Sequence, residues 1–401
     1  MTKHIRSEAG FSLMEVLVAT AIMLVVTAGI FTVMNPSGQM FQAQPEVVDI
    51  QQRLRIGVDT ITKDLMMAGA GAYSGTQLGT LNGFFASVQP ERIGNFPATF
   101  NGITLDQGPG VYTNNALTIF YVPSTSSQTT ISQGMPNQSA ELKVNPESDC
   151  PQGQNLCGFS VGMTVLIYDS TGSYDTMTIT QVQDAAGHLQ HNQQGDLSKS
   201  YGPDAKIVQI LQHAYYLDTT SRQLMQWDGA NNPVPLLDEV VGLNFEYYGE
   251  PQPPAMVDGN GLVNLTQDVT YGPTPSGVPN AAGTGDTCTI QSVGNPTIRQ
   301  PRLAVLGAAG TGLVKLTQAQ LTDGPWCPDA NNPNRFDADL FRIRKIRVTL
   351  RVQTANVNLR GPVTSGLSSL WVNPGTGTGS RLVGDQQIRF DVSPRNLNLS
   401  R

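Results

Sequence analysis

A chain of 401 residues is long enough for two or three average domains, yet only 39% of it is hydrophobic and 14% charged, with 41 glycines and 26 prolines. That balance fits a loop-rich β protein working outside the cytosol, and aromatic and β-branched residues recurring along the whole length exclude disorder. A net charge of -7 excludes a protein that coats nucleic acid or anionic lipid by electrostatics alone. The four cysteines, Cys150, Cys157, Cys288 and Cys327, all lie in Gly/Pro/Asn-rich stretches. An even number in such loops predicts disulfides and an oxidising compartment. Pairing nearest neighbours, Cys150 with Cys157 and Cys288 with Cys327, is favoured among three connectivities, and without a CxxC the zinc reading is weak.

In chain order, the first element is an apolar run from Phe11 to Met34, FSLMEVLVATAIMLVVTAGIFTVM. As a helix it spans about 36 Å, against roughly 30 Å of bilayer hydrocarbon. A secretory signal peptide has a shorter apolar region ending at a small-x-small cleavage site, so an anchor is the better reading. Glu15 sits inside the run, where an ionisable group costs on the order of 3 kcal/mol and calls for a partner. Before it stands the polar leader MTKHIRSEAG, carrying Lys3 and Arg6 and closing on Gly10.

The junction AG-FSLMEVLVA resembles the processing site of type IV prepilins and of type II secretion pseudoprepilins. The resemblance implies cleavage by a prepilin peptidase between Gly10 and Phe11, N-methylation of Phe11 and a mature chain of 391 residues. It also implies that Glu15 pairs with the N-terminal amine of a neighbouring subunit during assembly.

After the span, Pro36 predicts a kink or interruption and Pro45 a fresh first turn. From there Val47, Ile50, Leu54, Val58, Ile61 and Leu65 recur at three- and four-residue steps, an apolar stripe that needs a sheet to cover. Gly69 and Gly71 supply the stop. The stretch RLRIGVDTITKDLMMAGAGAY resembles the end of the N-terminal helix in PilW-type minor pilins and PulJ-type minor pseudopilins.

Beyond Tyr73 short alternating runs separated by Gly, Asn, Pro and Ser predict strands. They begin at Asn114 (NALTIFYV), Val161 (VGMTVLIYD), Tyr174 (YDTMTITQV) and Lys206 (KIVQILQHAYYLD), the last with Ile207, Gln209, Leu211, His213, Tyr215 and Leu217 on one face. RQLMQW, the turn DGANNP, VVGLNFEYY from Val240, IRKIRVTLRVQT from Ile343 and RLVGDQQIRFDV follow. The order of AYYLD, RQLMQWDG, LLDEVVGLNFEYYG and IRKIRVTLRV resembles the head of the same pilin group, which implies an N-terminal helix packed on antiparallel sheet. The expected class is therefore α+β: a leader at 1–10, a transmembrane half-helix at 11–34, an amphipathic half at 35–70, and a β-rich head at 71–401 with a long insertion at about 250–335.

Enzymatic chemistry finds little support. GFSVG, with Ser160 as the would-be nucleophile, fits G-x-S-x-G, but it lacks the strand before and the helix after. Only His213 of the three histidines left after loss of the leader's His4 sits on a convincing strand. His188 and His191 are spaced i, i+3 in a turn-like GHLQH without a third ligand and read as surface histidines. DGNGLVN from Asp258 and DANNPNRFDAD from Asp329 place hard oxygens densely enough to raise calcium, but turn chemistry accounts for them; no cofactor is expected and no metal ligand assigned. Lys345, Arg347 and Arg351 form a basic stripe, expected to pair across the sheet with carboxylates such as Glu246 or Asp238, so nucleic acid is not an expected partner. The resemblance implies instead a minor pilin-like subunit held in the inner membrane with its head in the periplasm, then joined to other minor and major pilins in a surface filament. A type II pseudopilin or a tip binding module is the alternative.

Overall fold

The computed structural model describes residues 10–71, 81, 86–90, 99–100, 103–104, 114–123, 127–147, 150–169, 174–192, 197–203, 205–229, 232–254, 289–294, 298–327, 336–360 and 383–398. The chain divides into two compact units, Met1–Gln52 with Val352–Gln386 and Arg53–Arg351 with Gln387–Arg401. One helix, α1 (Leu13–Met67), supplies residues to both. It runs without a break through Pro36 and Pro45, correcting the expected interruption. Each proline removes one backbone donor and crowds the preceding turn, at about 3 kcal/mol. Long helical stretches on both sides keep the helix continuous, because propagation is far easier than renucleation.

In the first unit, Thr354 donates its hydroxyl to Glu46 of α1, and Arg360 donates to Thr354 O at 2.7 Å and Ala355 O at 2.9 Å. Leu359 and Val383 are buried there, joined by a backbone bond of 3.3 Å.

In the second unit the predicted stripe of α1 is real: Leu54, Ile61 and Leu65 are buried while Arg55, Asp59 and Lys63 face water. Each such apolar side chain contributes roughly 1.5–3 kcal/mol on burial. The helix ends where Gly69 takes φ +79°, and its N–H bonds Phe120 O at 2.9 Å.

The helix end is thereby tied to an antiparallel five-stranded sheet in the order β1 (Val88–Pro90), β4 (Ala116–Tyr121), β12 (Leu211–Asp218), β13 (Gln223–Trp227) and β14 (Val234–Leu237). Ala116, Ala214, Tyr216, Met225 and Trp227 pack together on one face. His213 and Tyr215 lie on the other.

A seven-stranded sheet follows the order β8 (Tyr174–Thr178), β7 (Thr164–Tyr168), β11 (Lys206–Gln209), β5 (Gln128–Gln133), β6 (Leu142–Val144), β10 (His188–Gln190) and β9 (Gln181–Gln183). It surrounds a core of its own that includes Ile131, Leu142, Ile167, Leu189 and Ile207. A third sheet is β18 (Val314–Leu316), β15 (Val240–Gly249), β21 (Ile343–Val352) and β22 (Gln386–Val392). Three hairpins complete the described strands: β2 (Thr99–Phe100) with β3 (Ile103–Thr104), β16 (Ile290–Val293) with β17 (Ile298–Pro301), and β19 (Trp326–Cys327) with β20 (Phe336–Asp337). A helix with an antiparallel β-rich head is an α+β fold, as the sequence predicts.

Two differences matter. The run from Lys206 to Asp218 is two strands in two sheets, not one strand with a common face. The chain changes partners at Ile210, which is buried and donates to Thr164 O at 3.1 Å, and buried residues on both faces, Ile207 with Val208 before it and Tyr215 with Tyr216 after it, leave no change of pattern at that exchange. The long insertion also joins a sheet of the head. It contributes β18 to the edge of β15, pairing Tyr247 with Leu316.

Close approach is required at two glycines. A Cβ on Gly57 would meet the terminal methyls of Leu237 at 2.6 Å and Leu350 at 2.8 Å, whereas one on Gly249 would meet the backbone oxygen of Arg342 at 2.7 Å. Methyl groups can turn aside and a strand backbone cannot. Gly249→Ala is therefore expected to cost about 2–3 kcal/mol and Gly57→Ala less than about 1 kcal/mol, measured as shifts of the denaturant midpoint; equal costs would contradict this reading of the packing.

Candidate functional site

The N-terminal half of α1 is apolar on every side. Leu13–Phe31 is a helix long and apolar enough to cross a membrane, and none of it is buried against the protein. Thr20 donates its hydroxyl to Val16 O and Leu17 O, both at 3.0 Å, and Thr27 to Met23 O at 2.6 Å, so these polar groups are satisfied inside the helix. The first turn closes on itself: Ser12 N donates to Glu15 Oε2 at 2.8 Å, and Glu15 N to Ser12 Oγ at 3.2 Å. This is a capping box, a serine followed three residues later by glutamate, legible in FSLME but overlooked in the sequence reading. It satisfies hydrogen bonds without neutralising the carboxylate, and no lysine or arginine occurs between Phe11 and Gln52. Gly10 and Phe11 precede the helix, with Phe11 87% exposed, so the expected scissile bond is accessible.

The second unit has a polar centre between α1 and the five-stranded sheet. Asp64 accepts hydrogen bonds from His213, from the Tyr215 hydroxyl and, at 3.4 Å, from Gln226, which also donates to Tyr215 at 3.1 Å. His213 stands edge-on to Tyr121, ring centroids 5.7 Å apart. Burial, then the Asp64 charge, pushes Tyr121 up to about 12 and Tyr215 well above its ordinary range. His213, the histidine expected on a strand, thus serves a clamp that fixes the helix on the sheet. Ser160 lies elsewhere, exposed in the loop before β7.

That loop is closed by a Cys150–Cys157 disulfide with Cα atoms 5.5 Å apart. Asp184 accepts the N–H groups of Asn155 at 2.9 Å and Leu156 at 2.7 Å, while Leu156 and Phe159 enter the core. Cys327 is disulfide-bonded as well, and Cys288 lies outside the described residues.

His188 sits on β10, 3.1 Å from Glu141. His191 is not the expected surface residue. It is 6% exposed, its ring nitrogens 2.9 Å from Asn192 O and 3.0 Å from Ala140 O, because it directly follows β10, an inner strand paired with β6 on one side and β9 on the other.

The Asp258 loop and Asp329 lie outside the described residues. Asp337 and Asp339, from the second acidic motif, answer to backbone N–H groups and to Arg342.

Two cations of the basic stripe, Lys345 and Arg347, pair across the sheet with a carboxylate as expected, but it is Asp391 on β22 in place of Glu246 or Asp238. Arg347 reaches Asp391 at 2.6 Å and Lys345 at 3.2 Å, and both cations lie over the Tyr248 ring. Glu246 pairs with Lys315, and Asp238 accepts from Gln223 at 2.7 Å.

With this geometry established, residues 5–31 match the family model of the prokaryotic N-terminal methylation motif. Searches of curated proteins and of solved structures gave no match. The matched segment holds Gly10, Phe11, Glu15 and the bare apolar helix, and it is similar to that of type IV pilin-like proteins. The motif implies processing by a prepilin peptidase and assembly with other pilins.

Removing the Asp64 carboxylate would leave Tyr215 and His213 without their acceptor under the helix. Asp64→Ala is expected to destabilise the second unit by about 3 kcal/mol and lower its thermal midpoint by several degrees; a midpoint within 1 °C of wild type would show that the clamp contributes little.

Proposed function

We propose that the protein is a non-enzymatic minor pilin, a subunit that primes or tips a type IV pilus. One observation carries the proposal: the methylation motif coincides with a helix whose apolar surface is left uncovered by the described residues. Such a helix rests in the inner membrane as a single pass, and extraction into a filament exchanges lipid for the helices of neighbouring subunits. Within that bundle the Glu15 carboxylate meets the amine that cleavage creates on Phe11 of a neighbour, which offsets the burial of both charges and sets axial register. The head, including the insertion at about 250–335, then faces outward. The same motif serves minor pseudopilins of type II secretion; a head of about 330 residues with so long an insertion favours the pilus.

Mass spectrometry of protein from membranes of its native host is the direct test, with N-methyl-Phe11 as the expected mature terminus. An intact Met1, or a cut beyond Met34, would remove the pilin reading altogether. Glu15→Val is expected to insert into the membrane as wild type does while its recovery in sheared filaments falls at least ten-fold; undiminished recovery would refute the pairing role.

A further inference from the structure

The 3-10 turn Ala338–Arg342 leads directly into β21. Arg342 is 0% exposed and donates to Asp339, to Glu250 O at 3.5 Å, to Pro251 O at 3.3 Å and to Ala304 O. Asp337, 1% exposed, accepts Gly324 N at 2.7 Å on one oxygen and Asp339 N at 2.8 Å on the other. Ala338 N donates to Pro325 O at 3.0 Å. The turn therefore grips the insertion where it leaves β15, at Glu250 and Pro251, and again at Ala304, Gly324 and Pro325.

Charge at this grip does not balance. Carboxylate oxygens of Asp323, Asp337 and Asp339 lie within 4.8 Å of one another, and the cation among them is Arg342. The next charged pair, Glu250 with Arg344 at 3.4 Å, is matched within itself. Loss of water opposes ionisation of the two buried acids, and neighbouring carboxylates oppose it further. Burial pushes Asp337 up to about 7 against the pull of its two N–H donors, with the charges of Asp339 and Asp323 adding to the rise. It pushes Asp339 up to about 6 against the pull of Arg342, again with help from Asp323.

We propose that this turn is a proton-operated clasp: protons held by Asp337 and Asp339, beside the carboxylate of Asp323, fasten the insertion to β15 and β21 in mildly acidic surroundings, and their loss towards neutral pH loosens residues 303–327. The sign follows from linkage. A carboxyl raised in the folded state binds its proton more tightly there than in the open state. The contribution is complete below the ordinary aspartate range and is lost as pH rises through about 6 and then about 7. Each held proton makes local opening up to about ten-fold easier per pH unit across that window.

Peptide-resolved hydrogen exchange on the full chain in detergent micelles with EDTA, from pH 5 to pH 8, tests this. After correction for intrinsic exchange, protection over 303–327 and 338–343 is expected to fall at least ten-fold between pH 5 and pH 7 and then level off, while β4 and β12 hold steady. Protection that is flat or rises with pH would overturn the clasp, as would an equal fall in β4 and β12, which would be global unfolding. Asp323→Asn removes an exposed charge and leaves in place the hydrogen bonds of Asp337 and Asp339 to Gly324 N, Asp339 N and Arg342, so it should keep the fold and retain at least three-fold more protection at pH 7 than wild type. An unchanged profile in that variant would also overturn the proposal. Asp337→Asn removes the more strongly raised carboxyl and should flatten the profile above pH 6; should it fail to fold, the Asp323 variant still decides.

Discussion

Between Phe11 and Gln52 the chain carries three carboxylates, Glu15, Glu46 and Asp49, and no lysine or arginine. Everything about the first half of α1 follows from that imbalance combined with its bare apolar surface. Ser12 and Glu15 satisfy each other's backbone donors, and Thr20 and Thr27 bond back to their own helix, so these polar groups need no outside partner in a nonpolar medium. What remains is one negative charge near the start of a hydrophobic rod. Hydrocarbon cannot neutralise it, whereas an amine brought by another chain can. The methylation motif over residues 5–31 implies processing by a prepilin peptidase, a step that creates such an amine.

The second half of the same helix obeys different physics. Its stripe of Leu54, Ile61 and Leu65 would pack on any apolar sheet, so hydrophobicity alone leaves its rotation and sliding free by a turn. Two details remove that freedom. Gly57 permits contact with Leu237 of β14 and Leu350 of β21 at a distance no larger residue allows without shifting them. Seven residues further along, about two turns, Asp64 finds donors from β12 and β13 together. A helix rotated by one residue would bury Asp64 without those donors, at a cost of several kcal/mol. Apolar area supplies the attraction and the polar clamp specifies the register.

These two halves also mark what could be read in advance. Helical periodicity, the Gly69 stop and most long strands were visible because burial on one face leaves a period in the sequence. Helix continuity through Pro36 was not, since a proline signals only its local penalty and not the cooperative stretches around it. The exchange of sheets at Ile210 was hidden because both strands are buried on both faces, which erases alternation. Short strands such as β6 and β9, with three residues each, carry too little pattern to stand out. Asp391 could not be named as the partner of Lys345 and Arg347 without knowing that β22 lies beside β21. Arg342 gave no sign at all: in FRIRK it reads as one more cation of a strand face, and only the carbonyls of Glu250, Pro251 and Ala304 reveal that it is interior.

The two kinds of carboxylate in the head pull its pH response in opposite directions. Asp391 is near the surface, and Arg347 and Lys345 hold it down to about 2, so its contribution is present above the ordinary aspartate range and is lost only in strong acid; solvent screening keeps that contribution small. Asp337 and Asp339 are interior and raised, so their contribution is present in mild acid and is lost towards neutrality. Asp175 joins the second group, since burial raises it against the donors Ser198 and Tyr201. A head whose surface pairs resist acid while its buried acids favour it is tightest on the acid side of neutral pH. It reaches that condition through the turn that fastens its largest insertion, leaving the five-stranded sheet beneath α1 to be held by contacts that are mostly apolar.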